Sequence, residues 1–195
     1  MIAAGTGAEV TGLDISADQL EKARAAAAEA GLEIRFDEGD AQALPYEAAS
    51  FEVVVSAFGM IFAPDHQRAA GELTRVSKPG ARVAITSWPV DDWYLVNARV
   101  RPDYETTGTK RWAEEDHVRS LFPNLELTFG RGPTATRADS SDALWELLST
   151  SVPGLKAYLD GLDDNARLAV RAEFEPLLAD GELRREYVLI HGRKR

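Results

Sequence analysis

Two aspartates stand at the ends of successive apolar runs, and they are the residues of this sequence best suited to bind a ligand. Asp14 ends the run Val10-Thr11-Gly12-Leu13, and Asp40 ends the next run in the same way. An acid at the carboxyl end of a parallel strand can accept hydrogen bonds from both hydroxyls of a ribose, and the next strand ends at the same crevice. The pair therefore predicts an adenosine pocket.

Each acid also has a simpler interpretation. Asp14 is equally typical of a helix N-cap or a turn, and Gly39-Asp40 is a common turn sequence. In the binding interpretation, the Asp40 carboxylate accepts from the exocyclic amine of adenine and the amide of Ala41 faces the ring. The two acids together favour a binding site more than either one alone.

Alternating strands and helices must position these acids. The capping-box pattern from Ser16 to Gln19 starts a helix, and Gly31 is placed to end it in a left-handed conformation. A further helix is expected from Pro64-Asp65 to about Ser77. The pattern predicts an edge strand at 32–36, where apolar and charged residues alternate, and strands buried on both faces at 51–58 and 81–88, where apolar residues are nearly continuous. Such alternation indicates a mostly parallel sheet.

The second half of the chain has a different pattern. Residues 89–112 show no clear period and are expected to form an irregular loop or lid. The pattern then predicts helices at 113–122, 142–148 and 163–178 and strands at 125–129 and 184–191, the late strands forming an antiparallel edge on the sheet.

Composition limits the class of protein. The 195 residues carry a formal net charge of −10 and no cysteine, which argues against nucleic acid or anionic membranes as partners and excludes disulfides and thiolate chemistry. There is no apolar run of about 18 residues and no signal-peptide pattern at Met1–Gly5. We expect a cytoplasmic protein with a small-molecule partner, and a homo-oligomer remains open.

Four ordered segments resemble successive motifs of the class I S-adenosylmethionine-dependent methyltransferases, of the type 11 or type 25 kind. The similarity is densest over residues 8–90. The segments are Val10-Thr11-Gly12-Leu13-Asp14-Ile15-Ser16, Gly39-Asp40-Ala41-Gln42-Ala43-Leu44-Pro45-Tyr46, Ser50-Phe51-Glu52-Val53-Val54 and Leu73-Thr74-Arg75-Val76-Ser77-Lys78-Pro79-Gly80-Ala81.

This resemblance implies an α/β fold with a Rossmann-like, seven-stranded methyltransferase sheet and S-adenosylmethionine as cofactor. It places Asp14 on the ribose, Ile15 against adenine, Asp40 and Ala41 at the adenine edge, and Phe58 near the cofactor after the fourth strand. It also implies a single domain over residues 1–195. Within it, 1–90 form the cofactor-binding half, 89–112 a loop or lid, and 113–195 the C-terminal helices and closing strands.

The start of the chain departs from the family pattern. The family's first motif is a strand that ends in an acid, then a glycine-rich loop, then a helix. Only thirteen residues precede Asp14, and only Ala8 and Glu9 separate the loop-like Gly5-Thr6-Gly7 from the strand that Asp14 ends. A parallel crossover needs about a dozen residues or more. We therefore expect a sheet without the family's first strand, through N-terminal truncation or internal deletion.

Other conspicuous residues carry less information. The aromatic residues around the loop could form a box for an apolar or cationic methyl acceptor, or could simply pack on the sheet. His66 could serve as a general base, or could simply begin a helix. His117 and His191 suggest no metal site. The aromatic residues are Trp88, Trp93, Tyr94 and Trp112.

The function expected from these observations is methyl transfer from S-adenosylmethionine to a small-molecule acceptor, with no catalytic residue identified. The alternative is a noncatalytic methyltransferase-like fold that acts as an interaction module, or a gene fragment. A nicotinamide-dependent dehydrogenase would need G-x-G-x-x-G about 20 residues before Asp14, and the sequence has none.

Overall fold

The computed structural model of the chain describes residues 7–101, 104 and 108–195. The loop-like Gly5-Thr6 falls outside these residues, so the expectation for it stays a prediction. The chain forms two compact units. Unit 1 comprises Met1–Val83, Ser120–Glu126 and Gly192–Arg195, and unit 2 comprises Ala84–Arg119 and Leu127–His191.

The first part of the chain alternates strands and helices, as the sequence pattern predicts. Ser16 caps the first helix by accepting from the Gln19 amide at 3.4 Å, and Gly31 adopts a left-handed φ of +65° just after that helix ends. The elements are β1 (Thr11–Asp14), α1 (Ala17–Glu29), β2 (Arg35–Glu38), β3 (Phe51–Ala57), a 3-10 turn (Met60–Phe62), α2 (His66–Val76) and β4 (Ser77–Ser87).

The later part holds the remaining helices and the two longest strands. They are α3 (Asp92–Val100), a 3-10 turn (Thr109–Ala113), α4 (Glu115–Leu121), β5 (Leu125–Arg137), α5 (Ser141–Ser151), α6 (Pro153–Asp160), α7 (Asp164–Phe174), 3-10 turns (Glu175–Leu177 and Ala179–Gly181) and β6 (Glu182–Lys194).

The described strands form two separate sheets. β1 and β2 pair in parallel, from Thr11 opposite Arg35 to Asp14 opposite Glu38. The other sheet has the order β3-β4-β6-β5. In the described part of the chain, no strand pairs with the second edge of β1 or with the outer edge of β3.

Close approach of an aromatic ring explains one glycine of the first sheet. A Cβ at Gly12 would lie 2.8 Å from the ring of Phe36 on the paired strand. The glycine therefore lets the Phe36 ring pack directly against β1.

Each unit has its own apolar core. In unit 1, α2 buries Ala69, Ala70, Leu73 and Val76, and β4 buries Ala81 and Val83. In unit 2, the core cluster includes Trp93, Val96, Leu144, Leu155 and Phe174.

Four expectations from the sequence need correction. The predicted strand at 32–36 begins only at Arg35, because β2 starts opposite Thr11 of β1. The strand at 51–58 is not buried on both faces, since Val53 is 46% and Val55 45% exposed beside an unpaired edge. Residues 89–112 contain the helix α3, which the Asp91 side chain caps by accepting from the Tyr94 amide. The strand at 81–88 is also buried on one face only, since Ile85 is fully buried whereas Arg82 is exposed and Ala84 is only partly buried.

Candidate functional site

Unit 1 contains a cavity of about 640 Å³ between β1 and β3, and it brings together four of the five predicted binding residues. Asp14, Ile15, Asp40 and Ala41 all line it. Phe58 is not among the lining residues, although its neighbours Ala57 and Gly59 are. The cavity therefore lies where the two strand-end acids were predicted to meet.

Asp14 is held by a local turn that leaves part of its carboxylate available. Its Oδ1 accepts a hydrogen bond from the backbone amide of Ser16 at 2.9 Å, just before α1 begins. No described residue donates to its Oδ2. The turn and binding interpretations are thus compatible, because one oxygen fixes the side chain and the other can accept from a ligand.

Asp40 is more fully engaged than Asp14. Its Oδ1 accepts from the backbone amide of Gln42 at 2.8 Å, and the Gln42 side-chain amide donates to Oδ1 at 3.1 Å and Oδ2 at 2.9 Å. Gln42 in turn accepts from the Asp65 amide at the start of α2 through its Oε1. The Asp-x-Gln spacing is the sequence signal that could have identified Gln42 as the residue that orients this acid.

Helix α2 also anchors the loop that follows Asp40. The Leu44 amide donates to Glu72 Oε2 at 2.7 Å, and the Arg75 guanidinium donates to the carbonyls of Tyr46 at 2.7 Å and Leu44 at 3.0 Å. Arg75 also pairs with Glu72 at 2.7 Å, and its hydrogen bond holds the Glu72 pKa below the usual value. Arg75 lies in one of the four segments that resemble the family, but its hydrogen bonds to the loop backbone were not predicted from the sequence.

Tyr46 forms part of the cavity wall. Its hydroxyl donates to Asp37 at 3.1 Å, and its ring meets the Phe51 ring edge-on with 5.0 Å between centroids. Burial, followed by the hydrogen bond to the Asp37 carboxylate, raises the Tyr46 pKa to about 12. Tyr46 therefore stays a neutral, fixed side chain at ordinary pH.

Phe58 occupies a strained position directly after β3. Its φ is +58°, a left-handed conformation that costs a bulky residue on the order of 1–3 kcal/mol. The Met60 amide donates to Ser56 Oγ at 3.0 Å across this turn. Such strain is common at ligand sites, but Phe58 itself does not face the described cavity.

The other candidates do not join this site. Trp93, Tyr94 and Trp112 are buried side chains of unit 2, as expected of packing residues. The Arg185 guanidinium lies 3.9 Å from the centre of the Trp88 ring and pairs with Asp91. His66 begins α2 and is not a lining residue of the cavity.

Neither a metal centre nor a membrane span is found within the described ranges. No group of three or more histidine, cysteine, aspartate or glutamate residues there could hold a metal ion. No described helix is both long and apolar enough to cross a bilayer.

The sequence of this chain is similar to one family profile and to several known proteins. The family profile described as a methyltransferase domain matches residues 1–85. Two uncharacterized proteins of Mycobacterium tuberculosis are 33% and 34% identical, over 99% and 98% of this chain and 76% of each relative. A demethylmenaquinone methyltransferase of Thermus thermophilus is 45% identical over 83 residues, which cover 43% of this chain and 38% of that enzyme.

Solved structures show the same fold. The YcgJ protein of Bacillus subtilis has a TM-score of 0.61 at 19% identity, over 96% of this chain and 82% of that one. A putative methyltransferase of Bacillus halodurans has a TM-score of 0.62 at 18% identity, over 96% of this chain and 83% of that one. The α/β, Rossmann-like fold predicted from the sequence is thereby confirmed. Together with the family profile and the two relatives that align over nearly all of this chain, it shows that the chain belongs to the class I S-adenosylmethionine-dependent methyltransferases.

Proposed function

We propose that the cavity of unit 1 binds S-adenosylmethionine and that the chain transfers its methyl group to a small-molecule acceptor. The observation that carries the proposal is the convergence of Asp14, Ile15, Asp40 and Ala41 on one cavity. Acids at the ends of successive strands, with an apolar residue after the first, provide the chemistry that an adenosine group needs.

Each residue has a distinct role in this proposal. The available Oδ2 of Asp14 accepts from the ribose hydroxyls, while Ser16 keeps the carboxylate in position. Ile15 is 70% exposed at the cavity and offers an apolar surface for adenine. Asp40, oriented by Gln42, accepts from the adenine amine beside Ala41. Phe58 is the neighbour of the lining residues Ala57 and Gly59, so its proposed place is beside the cofactor and not in the cavity wall.

The reaction is an in-line displacement at a sulfonium carbon. The acceptor's lone pair forms the new bond to the methyl carbon, the carbon–sulfur bond breaks with its electron pair remaining on sulfur, and the acceptor then loses a proton to solvent. Such a reaction depends mainly on holding the two reacting atoms in line. The described walls of the cavity meet this requirement, because they offer groups that can hold the cofactor in position.

The net charge favours a small acceptor, and the size of the cavity suits the cofactor. A net charge of −10 repels phosphate backbones and anionic surfaces. A cavity of about 640 Å³ is in the usual range for small-molecule sites.

Calorimetric titration with S-adenosylmethionine tests the proposal. Asp14→Asn keeps an oxygen for the Ser16 turn but replaces the other with a hydrogen-bond donor. We expect affinity to fall about ten- to hundredfold, the value of one hydrogen bond to a charged group. Asp18→Asn, an exposed acid in the first turn of α1, serves as the matched control and should bind as the unchanged chain does. Equal affinity in the Asp14 variant would contradict the proposal.

A further inference from the structure

Unit 2 contains an arginine whose charge is not paired with an acid in the described part of the chain. Arg101 directly follows α3, and its side chain is half-buried. Its Nη1 donates to the side-chain oxygen of Asn97 at 3.2 Å, and no described group accepts from its Nε or Nη2. The other arginines of unit 2 are all engaged. Arg167 donates to the carbonyls of Leu159 and Leu162, and the rest pair with aspartate or glutamate.

The groups around Arg101 do not supply a negative charge. The rings of Tyr104 and Tyr158 lie beside the guanidinium, with their centroids 4.9 Å and 5.8 Å from its central carbon. Burial lowers the Arg101 pKa, and the described groups that oppose this shift are the same two phenols, with no carboxylate among them. Partial removal of a cation from water without an opposite charge is costly. An anionic group that reaches Arg101 is therefore stabilised there.

The neighbouring helix adds to the positive potential. A Cβ added at Gly154 would lie 3.1 Å from Arg101 Nη2, so the guanidinium lies directly against the first turn of α6. No described side chain caps this end of α6, and the amino end of a helix carries a partial positive charge. The helix therefore does not neutralise Arg101, and it favours an anion at the same place.

A buried hydroxyl belongs to the same cluster of side chains. Tyr94 lies on α3 about two helical turns before Arg101, and its ring centroid is 5.2 Å from that of Tyr104. Tyr94 is only 7% exposed, and its hydroxyl has no hydrogen-bond partner within the described residues. Buried hydroxyls usually have such a partner. The cluster thus has hydrogen-bond donors to spare, whereas a carboxylate offers only acceptors.

We propose that Arg101 binds the carboxylate of a small organic acid through its Nε and Nη2 atoms. A carboxylate can accept two parallel hydrogen bonds from one edge of a guanidinium. It also carries a single negative charge, which one guanidinium neutralises, whereas a phosphate dianion is repelled by a chain of net charge −10. This inference goes beyond the proposed function, because the site lies within unit 2 and its ligand is not the cofactor.

Ligand-observed ¹⁹F NMR tests the inference with the full chain and no cofactor. The probe is 4-fluorobenzoate, and 4-fluorobenzamide is its uncharged counterpart. We expect saturable binding of the benzoate with a dissociation constant of about 1 mM, and binding of the benzamide that is at least about tenfold weaker, because the benzamide has no charge to pair with the guanidinium. Equal binding of the two probes would overturn the proposal.

Inorganic phosphate distinguishes a carboxylate site from a general anion site. As a competitor of 4-fluorobenzoate, phosphate should be at least about tenfold less effective than unlabelled benzoate, since repulsion from the chain grows with the charge of the ligand. Phosphate that competes as well as benzoate would show that Arg101 does not select a carboxylate.

Substitutions test the role of the guanidinium. Arg101→Met removes the charge at similar side-chain length and should weaken benzoate binding at least about tenfold. Arg101→Lys keeps the charge but loses the two parallel donors, so we expect an intermediate affinity. Arg99→Met is the matched control, because Arg99 is an exposed arginine of the same helix that pairs with Glu173. Full affinity in both Arg101 variants, or an equal loss in the Arg99 variant, would contradict the assignment.

Amide chemical shifts locate the bound probe and separate this inference from the proposed function. 4-Fluorobenzoate should move the amides of Arg101, Gly154 and Leu155 and leave those of Ile15 and Ala41 unmoved, and S-adenosylmethionine should not displace it. Shifts confined to Ile15 and Ala41, or displacement by the cofactor, would overturn the inference. Benzoate binding at Arg101 without any binding of S-adenosylmethionine would count against the proposed function alone, and the reverse result against this inference alone.

Discussion

At the scale of single residues, the strand-end acids are oriented by hydrogen bonds to their own turns. Asp14 accepts from Ser16, and Asp40 accepts from the backbone and side chain of Gln42. These contacts use one oxygen of Asp14 but both oxygens of Asp40. Asp14, the acid proposed to bind the ribose, is therefore the more available of the two, and its substitution is the more informative for ligand binding.

Backbone strain before β3 gives a prediction at this scale. Ala49 has a φ of +54°, which costs an L-residue about 1–2 kcal/mol. Ala49→Gly relieves this cost, although glycine also makes the unfolded chain more flexible by about 0.5–1 kcal/mol. We expect the free energy of unfolding to rise by up to about 1 kcal/mol in urea denaturation.

The neighbouring alanine is the control for this change. Ala48 is also exposed but has no left-handed φ. Ala48→Gly should lower stability by about 0.5–1 kcal/mol. Stabilisation by both glycines, or by neither, would show that strain at Ala49 is not the cause.

At the scale of elements, helix α2 determines the conformation of the cavity loop. Glu72 and Arg75 bind the backbone of Leu44 and Tyr46, and Arg68 donates to the Gln42 carbonyl at 2.8 Å. These residues occupy successive turns on one side of the helix. The loop that carries Asp40 therefore depends on side chains about thirty positions later in the sequence.

The Glu72 contact predicts a pH dependence of stability. Hydrogen bonding to Arg75 holds the Glu72 pKa below its ordinary value of 4.5. A carboxyl with a lowered folded-state pKa stabilises the fold above its unfolded pKa, and that stabilisation is lost as the pH falls through the folded value. The unfolding free energy should therefore decrease below about pH 4.5, with faster exchange of the Leu44 amide.

The variant Glu72→Gln separates this carboxylate from other acids. We expect it to be less stable than the unchanged chain at pH 6 and to lose less stability on acidification. Glu33→Gln, an exposed substitution, should leave the pH profile unchanged. Identical profiles for Glu72→Gln and the unchanged chain would contradict the role of Glu72.

Local signals predicted much of this arrangement from the sequence. The capping box at Ser16, the strand-end acids and the left-handed Gly31 depend on neighbouring residues, so their positions could be read directly. The exposed face of β3 could not, because burial depends on whether other strands and helices cover it. Continuous apolar residues in Phe51–Ala57 indicate a strand with two apolar faces, not the presence of a cover for each face.

Long-range contacts were equally hidden. Nothing local shows that Glu72 and Arg75 bind the backbone of Leu44, since the two segments meet only after folding. The helix α3 was missed because its aromatic and small polar residues have weak helix propensity. Packing of Trp93 and Val96 into the core of unit 2 supplies the stability that the local sequence does not.

At the scale of the whole molecule, the two units have different cores, and tryptophan fluorescence arises from only one of them. All four tryptophans, Trp88, Trp93, Trp112 and Trp145, belong to unit 2. Phe174 is fully buried there, with ring centroids 5.0 Å from Trp93 and 5.5 Å from Trp145. Tryptophan fluorescence therefore reports the packing of unit 2 and not that of the cavity in unit 1.

This separation predicts the effect of a core substitution. Phe174→Ala should lower the free energy of unfolding by about 3–5 kcal/mol, through lost burial and the cavity left behind. Leu168→Ala on the same helix is 63% exposed in the native chain and should change stability by less than about 0.5 kcal/mol. Urea denaturation followed by tryptophan fluorescence distinguishes them, and similar effects would contradict the assigned core.

The central claim is that the cavity of unit 1 is the cofactor site, and amide chemical shifts test it most directly. The ¹⁵N-labelled chain is titrated with S-adenosylhomocysteine, the demethylated form of the cofactor. We predict saturable shifts at the amides of Ile15 and Ala41, with no change at Val170 and Phe174 in the core of unit 2. Shifts confined to unit 2, or a saturable interaction that leaves Ile15 and Ala41 unmoved, would contradict the claim.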